Sequence, residues 1–430
     1  LTTATGTANR KRNAARQRPS ARQGPATRQR QPARRDPSYL EYFSFLRPRL
    51  RLQDYFAKGG FDMTFFILVV TLLTIGLVMM FSASYVYSMY TQKGDPYYYI
   101  SRQLLYAAGG MVVLFLVSKI HYTVFKDFAF LALLISFGLL IYVLINPHVI
   151  AGKEDFKRWI WVPLLNTTIQ PSEIAKIGLV LYCSWGMERK QKLIAKKWWM
   201  MLPYAAVIGL MCLLVYKENH LSGTILIFLI GIVMTYLGGV KTGWYVLAAV
   251  GVAAVALFVI ANPDVLQKYA GTRIQAWLDE DYDPQGDRWQ INQSLYAIGS
   301  GGLFGAGLGQ SRQKHLYIPE PQNDFVFSVV CEELGFIGAF TIIILFVLLV
   351  WRGFVIALRA KDRFSSLLVM GICFQVGLQA ALNIAVVTGT VPNTGISLPF
   401  FSYGGTSLMI LLIEMGMVLS VSRYSKIPKM

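Results

Sequence analysis

Asp324 has the clearest claim to chemistry. It closes the polar stretch Pro319-Glu320-Pro321-Gln322-Asn323-Asp324, and apolar sequence begins at once with Phe325-Val326-Phe327. A carboxyl at such a boundary is partly desolvated, which raises its pKa and makes it a stronger base. The same position suits the N-cap of a helix, and the two roles are compatible. Glu332 and Glu333 follow about two helical turns later. Carboxylates at that depth face the interior of a bundle as a structural pair or as a proton relay. Glu173 and Lys176, spaced i, i+3, would share one helix face as a local ion pair, or the lysine would neutralise an anionic substrate.

Other residue types narrow the chemistry. Lys153, Lys157, Arg158, Lys268, Arg273, Arg288, Arg312 and Lys314 fall in the two longest connections on the face where positive charge should be sparse. Some of them could therefore serve an anion. The glycine-rich run Gly299–Gly309 has no phosphate-loop Lys-Ser/Thr, so it reads as a compact re-entrant or interfacial turn, as does Phe401–Ser407. His121, His148, His220 and His315 are scattered and make no metal motif, and no Gly-x-Ser-x-Gly elbow is present. Cys183, Cys212, Cys331 and Cys373 lie in apolar runs and read as small buried hydrophobes.

The elements that must position these residues are membrane helices. Of 430 residues, 54% are hydrophobic and only 15% charged. That balance excludes wholesale disorder, collagen, a disulfide scaffold and a cytosolic enzyme. Ten apolar segments are long enough to cross a bilayer, near 62–84, 102–119, 126–146, 171–187, 200–216, 221–239, 243–261, 325–351, 365–388 and 402–421. The expected fold is an all-α polytopic membrane protein of about ten transmembrane helices. A large extracytoplasmic loop, 262–324, should join the seventh and eighth. The net charge is +18, and residues 1–60 hold 14 Lys+Arg against 3 Asp+Glu. This tail reads as a disordered cytoplasmic arm on an anionic leaflet rather than a nucleic-acid binder. No clear cleavage site follows the first span, so it should remain as an anchor. Basic clusters place both termini inside, residues 423–430 forming a short cytoplasmic C-terminus, and put the chemistry on the outer face.

Several motifs occur in order: Lys157-Arg158-Trp159-Ile160, Gln170-Pro171-Ser172-Glu173-Ile174-Ala175-Lys176, and Gln293 through Gly302. Pro319–Phe327, Glu332-Glu333-Leu334-Gly335, Asn393-Thr394-Gly395 and Leu398-Pro399-Phe400-Phe401-Ser402-Tyr403-Gly404-Gly405 follow. Together they resemble the SEDS family (shape, elongation, division and sporulation), whose members polymerise peptidoglycan. The likeness covers about residues 62–422 and is greatest to the division and sporulation branch. Where that family often has His-Thr before its acid, this chain has Gln322-Asn323, and Asn219-His220 stands where Pro-Asp is usual.

The resemblance implies a membrane glycosyltransferase acting on lipid II, with Asp324 as general base. It makes Lys176, Arg158, Arg273, Glu173, Ser172, Glu320, Glu333 and Ser402 candidates to contact substrate. A divalent cation, Mg or Mn, could share the pyrophosphate. The implied partners are lipid II, the nascent glycan strand, a class B penicillin-binding protein, division-complex proteins and membrane lipids, with no nucleic acid. The residues themselves leave two other classes open: a lipid II flippase using the buried charges as a path, and a noncatalytic division scaffold.

Overall fold

Where the sequence is apolar for about 20 residues the chain is helical, because backbone without water to bond must bond to itself. The computed structural model describes residues 59–148, 157–163, 167–194, 198–247, 249–250, 253–254, 276–277, 279, 286 and 288–425. In order these form α1 (Met63–Thr91), α2 (Tyr98–Lys119), α3 (Tyr122–Asp127), α4 (Ala129–Ile145), β1 (Ile160–Val162), β2 (Thr167–Ile169) and α5 (Pro171–Ile194). Then come α6 (Leu202–Lys217), α7 (Leu221–Leu237), α8 (Trp289–Gly301), α9 (Val326–Leu358), α10 (Arg363–Val387) and α11 (Gly405–Ser422).

By length and composition α1, α2, α6 with the turn before it, α9, α10 and α11 can each cross a membrane. The 17-residue α4 and α7 are apolar but shorter. The 24-residue α5 has the length but carries Glu173, Lys176 and a basic end. The multi-pass helical expectation therefore holds, with six full-length spans among the described residues. Most of the expected span 243–261 lies outside them, as do residues 1–58, Arg273 and 426–430. In the most apolar stretches of α11 and α10, 67% and 61% of residues are buried, against 22% in α2, so those two helices form the centre.

Two elements depart from an all-α chain with one long loop. Ile160-Trp161-Val162 and Thr167-Thr168-Ile169 pair as an antiparallel ribbon, with Ile160 opposite Ile169. These are the β-branched and aromatic types that suit a strand. Within the interval expected as loop, α8 forms because Ile291, Ser294, Ala297 and Gly301 recur at helical spacing and are buried.

Asp62 ties three helices together at one end. Its carboxylate accepts from Phe65 N at 2.8 Å and so caps α1, and it pairs with Arg352 Nη2 of α9 at 2.7 Å. Its own N–H donates to Ser422 Oγ, at the end of α11, at 3.0 Å.

Near its other end α9 is broken. Gly335 sits at φ 66 and ψ −168, far from helical values. The groups freed by the break are taken up by the glycine-rich segment. Phe336 N and Ile337 N donate to the carbonyls of Gly302 and Leu303 at 2.9 and 3.2 Å, while Ala306 N and Gly307 N donate to those of Glu332 and Glu333 at 2.9 and 3.0 Å. The two backbones approach so closely that a Cβ on Gly305, itself at φ +79, would lie 2.2 Å from the Glu333 carbonyl oxygen.

Gly305→Ala should therefore lower stability by about 2 kcal/mol or more, since backbone cannot give way and positive φ is strained. Gly299→Ala in α8, where an added methyl meets nothing within 4 Å, should raise it by about 0.5–1 kcal/mol through helix propensity. Thermal melting of both variants in detergent checks the contrast.

Candidate active site

Segments far apart in the chain meet around a cavity of about 1,090 Å³. Its wall takes in the start of α2, the β1–β2 ribbon, the first turns of α5 and α7, residues 319–324 before α9, the middle of α10, and residues 393–408 leading into α11. Small-molecule pockets are about 300–1,000 Å³, so this volume suits a larger ligand.

Asp324 lies on this wall, one residue before the N-cap position of α9. That position is held by Phe325, and no side chain caps the helix there. Asn383 of α10 holds the aspartate's backbone, donating from Nδ2 to the Asp324 carbonyl at 2.7 Å and to the Ile396 carbonyl at 2.6 Å. Gly395, at φ +64, faces the carboxylate, and a Cβ there would stand 3.1 Å from Asp324 Oδ2. Tyr403 N donates to the Gln322 carbonyl at 2.8 Å, which joins the approach to α11 with the approach to α9. Glu320, on the same rim, accepts from Asn323 Nδ2 at 2.8 Å.

The inner end of the cavity is charged. Lys176 is buried and pairs with Glu173 at 2.9 Å, the i, i+3 contact expected from spacing. It also donates to Gln379 Oε1 at 2.9 Å, and Gln379 in turn donates to the Ser397 carbonyl at 3.1 Å. One turn earlier on α10, Gln375 donates to Glu414 of α11 at 2.7 Å. The amide oxygens of Gln322 and Gln375 are buried on this wall without a hydrogen-bond partner, so each can accept from a hydroxyl or amide donor.

Opposite elements supply further groups. Arg158 donates to the Asn219 carbonyl, and Ser172 Oγ and Gln170 Nε2 each lie 3.4 Å from His220 Nδ1. Burial, with Arg158 and Lys176 nearby, holds the His220 pKa well below the usual range and keeps the ring neutral. Arg102 of α2 lies 4.1 Å over the Tyr98 ring, and Tyr99 meets Tyr403 edge-on at 4.8 Å. Cations, carboxylates and aromatic faces thus surround one space, the set needed to hold an anionic group and a sugar beside a base.

A family model described as "Cell cycle protein", covering FtsW, RodA and SpoVE, matches residues 63–427. The chain belongs to the FtsW/RodA/SpoVE family. It is 40% identical to stage V sporulation protein E of Bacillus subtilis over 371 residues, 86% of this chain and 99% of that one. It is 37% identical to a "Probable peptidoglycan glycosyltransferase FtsW" of Trichlorobacter lovleyi, covering 88% and 95%. Among solved structures, the rod shape determining protein RodA of Thermus thermophilus superposes with a TM-score of 0.62 at 28% identity, covering 86% and 98%. A chain from a work on structural coordination of polymerization and crosslinking by a peptidoglycan synthase complex gives 0.69 at 28%, covering 85% and 98%.

Of the residues singled out in this FtsW/RodA/SpoVE chain, Asp324, Lys176, Arg158, Glu173, Ser172, Glu320 and Ser402 all line the cavity. Ser402 Oγ is engaged in its own turn, accepting from Leu398 N at 2.7 Å. Glu333 lies elsewhere. It accepts from Lys314 Nζ at 2.8 Å and Ser82 Oγ at 2.7 Å, while Glu332 accepts from Arg312 N at 2.8 Å and from Ser311 Oγ. These two carboxylates anchor residues 311–314 to α9.

Among the described residues no three His, Cys, Asp or Glu side chains gather to hold a metal ion. The donor set therefore does not fit a caged ion. Any divalent cation would rely on one or two carboxylates and on ligand phosphate oxygens.

Arg102, Gln375, Gln379, Asn383 and Glu414 were missed. Gln375, Gln379 and Asn383 recur every four residues in an otherwise apolar span, which is a readable polar stripe, and Glu414 is a lone carboxylate in another.

Lys176→Met should destabilise the protein by about 3 kcal/mol, because it strands Glu173 in a largely dry site. Adding Glu173→Gln should restore about 1–3 kcal/mol of that loss. A double-mutant cycle on melting curves reads both.

Proposed function

We propose that this chain is a peptidoglycan glycosyltransferase that polymerises glycan strands from lipid II at the outer face of the bacterial cytoplasmic membrane, in division or sporulation. The 4-hydroxyl of an acceptor GlcNAc attacks the anomeric carbon of the growing chain's MurNAc. Asp324 takes the hydroxyl proton, the bond to the lipid pyrophosphate breaks, and configuration inverts from α to β. Lys176 and Arg158 offer charge to the leaving pyrophosphate, the kind of fixed electrostatic help that lowers such barriers. Glu173, Ser172, Glu320 and Ser402 are wall positions for the sugars, and Arg273 is a further cation for the same anion.

The observation that carries this reading is that Asp324 and the cations Lys176 and Arg158 line the same cavity. The names of the relatives support the activity, and the peptidoglycan synthase complex supports a class B penicillin-binding protein as partner. Division-complex proteins and membrane lipids complete the expected partners. If a Mg or Mn ion binds, cavity-wall carboxylates such as Glu173 and Glu320 would hold it, and it would supply positive charge to the leaving group. Both termini belong on the cytoplasmic side, with the basic tail against the inner leaflet. A flippase would use intramembrane carboxylates as a path, but Glu332 and Glu333 are already engaged in anchoring residues 311–314.

Purified protein with its class B penicillin-binding protein should make glycan strands from lipid II, with other glycosyltransferases absent. Asp324→Asn should lower the rate about 100-fold or more, the span of general-base catalysis. Equal polymer from both would remove Asp324 as the base. Chelation should slow the wild type, and added Mg or Mn should restore it.

A further inference from the structure

One stretch of the cavity wall has no part in the reaction above, and it is made of tyrosines. Tyr87 near the end of α1, Tyr98, Tyr99 and Tyr106 early in α2, and Tyr403 before α11 all line the cavity. Their rings pack on one another. Tyr99 meets Tyr403 at 4.8 Å and Tyr98 at 5.2 Å, both edge to face, and Tyr87 at 6.1 Å. Tyrosines also gather where a membrane meets water, and Tyr90 and Tyr97, 72% and 57% exposed, suit that role. Tyr87, Tyr98, Tyr99 and Tyr403 are instead half-buried on the cavity wall.

The cluster is fixed in place. Buried Gln103 of α2 donates to the Ser402 carbonyl at 3.3 Å and accepts from Gly404 N at 3.3 Å, clamping the chain on both sides of Tyr403. A Cβ on Gly405 would stand 2.1 Å from the Tyr106 ring, so the start of α11 rests directly on that side chain. Tyr403 N in turn donates at 2.8 Å to the carbonyl of Gln322, on the segment that ends in Asp324. The rings are thereby held in register with the proposed base.

We infer that this tyrosine cluster is a binding subsite for uncharged sugar units, holding the part of the glycan strand that lies beyond the reacting pair. The inference rests on the polymerase reading and deepens it. A β-1,4-linked hexosamine keeps its substituents equatorial, which leaves C–H groups on the faces of its ring. Such faces pack on the electron-rich face of an aromatic ring, while phenol hydroxyls can bond sugar hydroxyl and acetamido groups. Arg102, with its guanidinium 4.1 Å over the Tyr98 ring, adds a donor at the same place. A lipid tail would gain nothing from these polar tips, and a pyrophosphate is better met by the buried Lys176 at the inner end. The cavity volume of about 1,090 Å³ exceeds the usual range for one small ligand, as a site for several sugar units must. The tyrosines would keep hold of the strand between additions, and strand length would depend on them.

The test uses the full chain in detergent with chitohexaose, a β-1,4 hexamer of N-acetylglucosamine, as the probe. Calorimetry compares wild type with Tyr99→Leu, Tyr98→Leu and Tyr99→Phe, and melting curves report folding. Loss of either ring should weaken binding about three- to tenfold. Tyr99→Phe keeps the ring, and the lost hydroxyl already accepts from Gln92 Nε2 at 3.4 Å, so its affinity should stay within about twofold of wild type. Tyr98→Leu, which removes a ring at the edge of the cluster, decides the matter should Tyr99→Leu not fold. Strands made from lipid II with the partner transpeptidase are then sized at equal lipid II consumed, where the Leu variants should give shorter strands. A merely structural ring would shift melting temperature and leave affinity and strand length as they are. Chitohexaose bound equally by wild type and the folded Leu variants, or not bound by wild type, overturns the inference even if strands form. So does a Tyr99→Phe as weak as Tyr99→Leu, or an unchanged strand length. Wild type that binds chitohexaose through these rings but forms no strands would remove the polymerase reading and leave the sugar site standing.

Discussion

A helix interrupted at membrane depth exposes peptide groups that lipid cannot hydrogen-bond, and each such group left alone costs several kcal/mol. The break in α9 at Gly335 creates that problem, and much of the molecule is arranged around its solution. The segment from Gly302 to Gly307 lies against the break and exchanges four backbone hydrogen bonds with it. Only glycine allows the approach at positions 301, 305 and 335, where a Cβ would lie 2.0–2.2 Å from backbone atoms. The Glu332 and Glu333 side chains, on the turn just before the break, then secure Arg312 to Lys314. The chain that leaves this knot runs directly to Glu320 and Asp324, so the position of the rim follows from the way the break is sealed.

A second constraint acts across the cavity. Lys176 is a cation with almost no access to solvent, and it persists because Glu173 and Gln379 supply its contacts. Holding it ties α5 to α10, and through Gln375 and Glu414 α10 is tied to α11. The charge that could meet an anion is also what aligns three helices. Stability in this part of the molecule therefore draws on a few contacts between charged and polar groups kept away from water.

Much of this was legible in the chain. The change from polar to apolar sequence at Asp324 marks a real boundary, and the i, i+3 spacing of Glu173 and Lys176 becomes a real ion pair. The depth of Glu333 was also readable, but its direction was not, because a helix face is chosen by neighbours that only the folded chain supplies. Strands as short as β1 and β2 carry too few residues for alternation to show. The break at Gly335 is hidden for a related reason: glycine is common within membrane helices, and nothing local separates a tolerated one from one at positive φ. Asn383 and Glu414 were overlooked because the surrounding hydropathy drowned single polar residues, though their meaning in a membrane segment is seldom neutral.

Asp62 fastens α1, α9 and α11 at the ends away from the cavity, since Tyr87, Asp324 and Gly405 near their other ends line it. A helix of about 27 residues is a rod of about 40 Å, and tilting it by 3° moves its free tip by about 2 Å. Rods joined at one end behave like the legs of a pair of tongs, and at the grip end the approaches to α9 and α11 are linked by the hydrogen bond from Tyr403 N to the Gln322 carbonyl. The grip end gains travel from small rotations while the joint hardly shifts. Such splaying would let the cavity change its width while the Asp62 joint stays as it is.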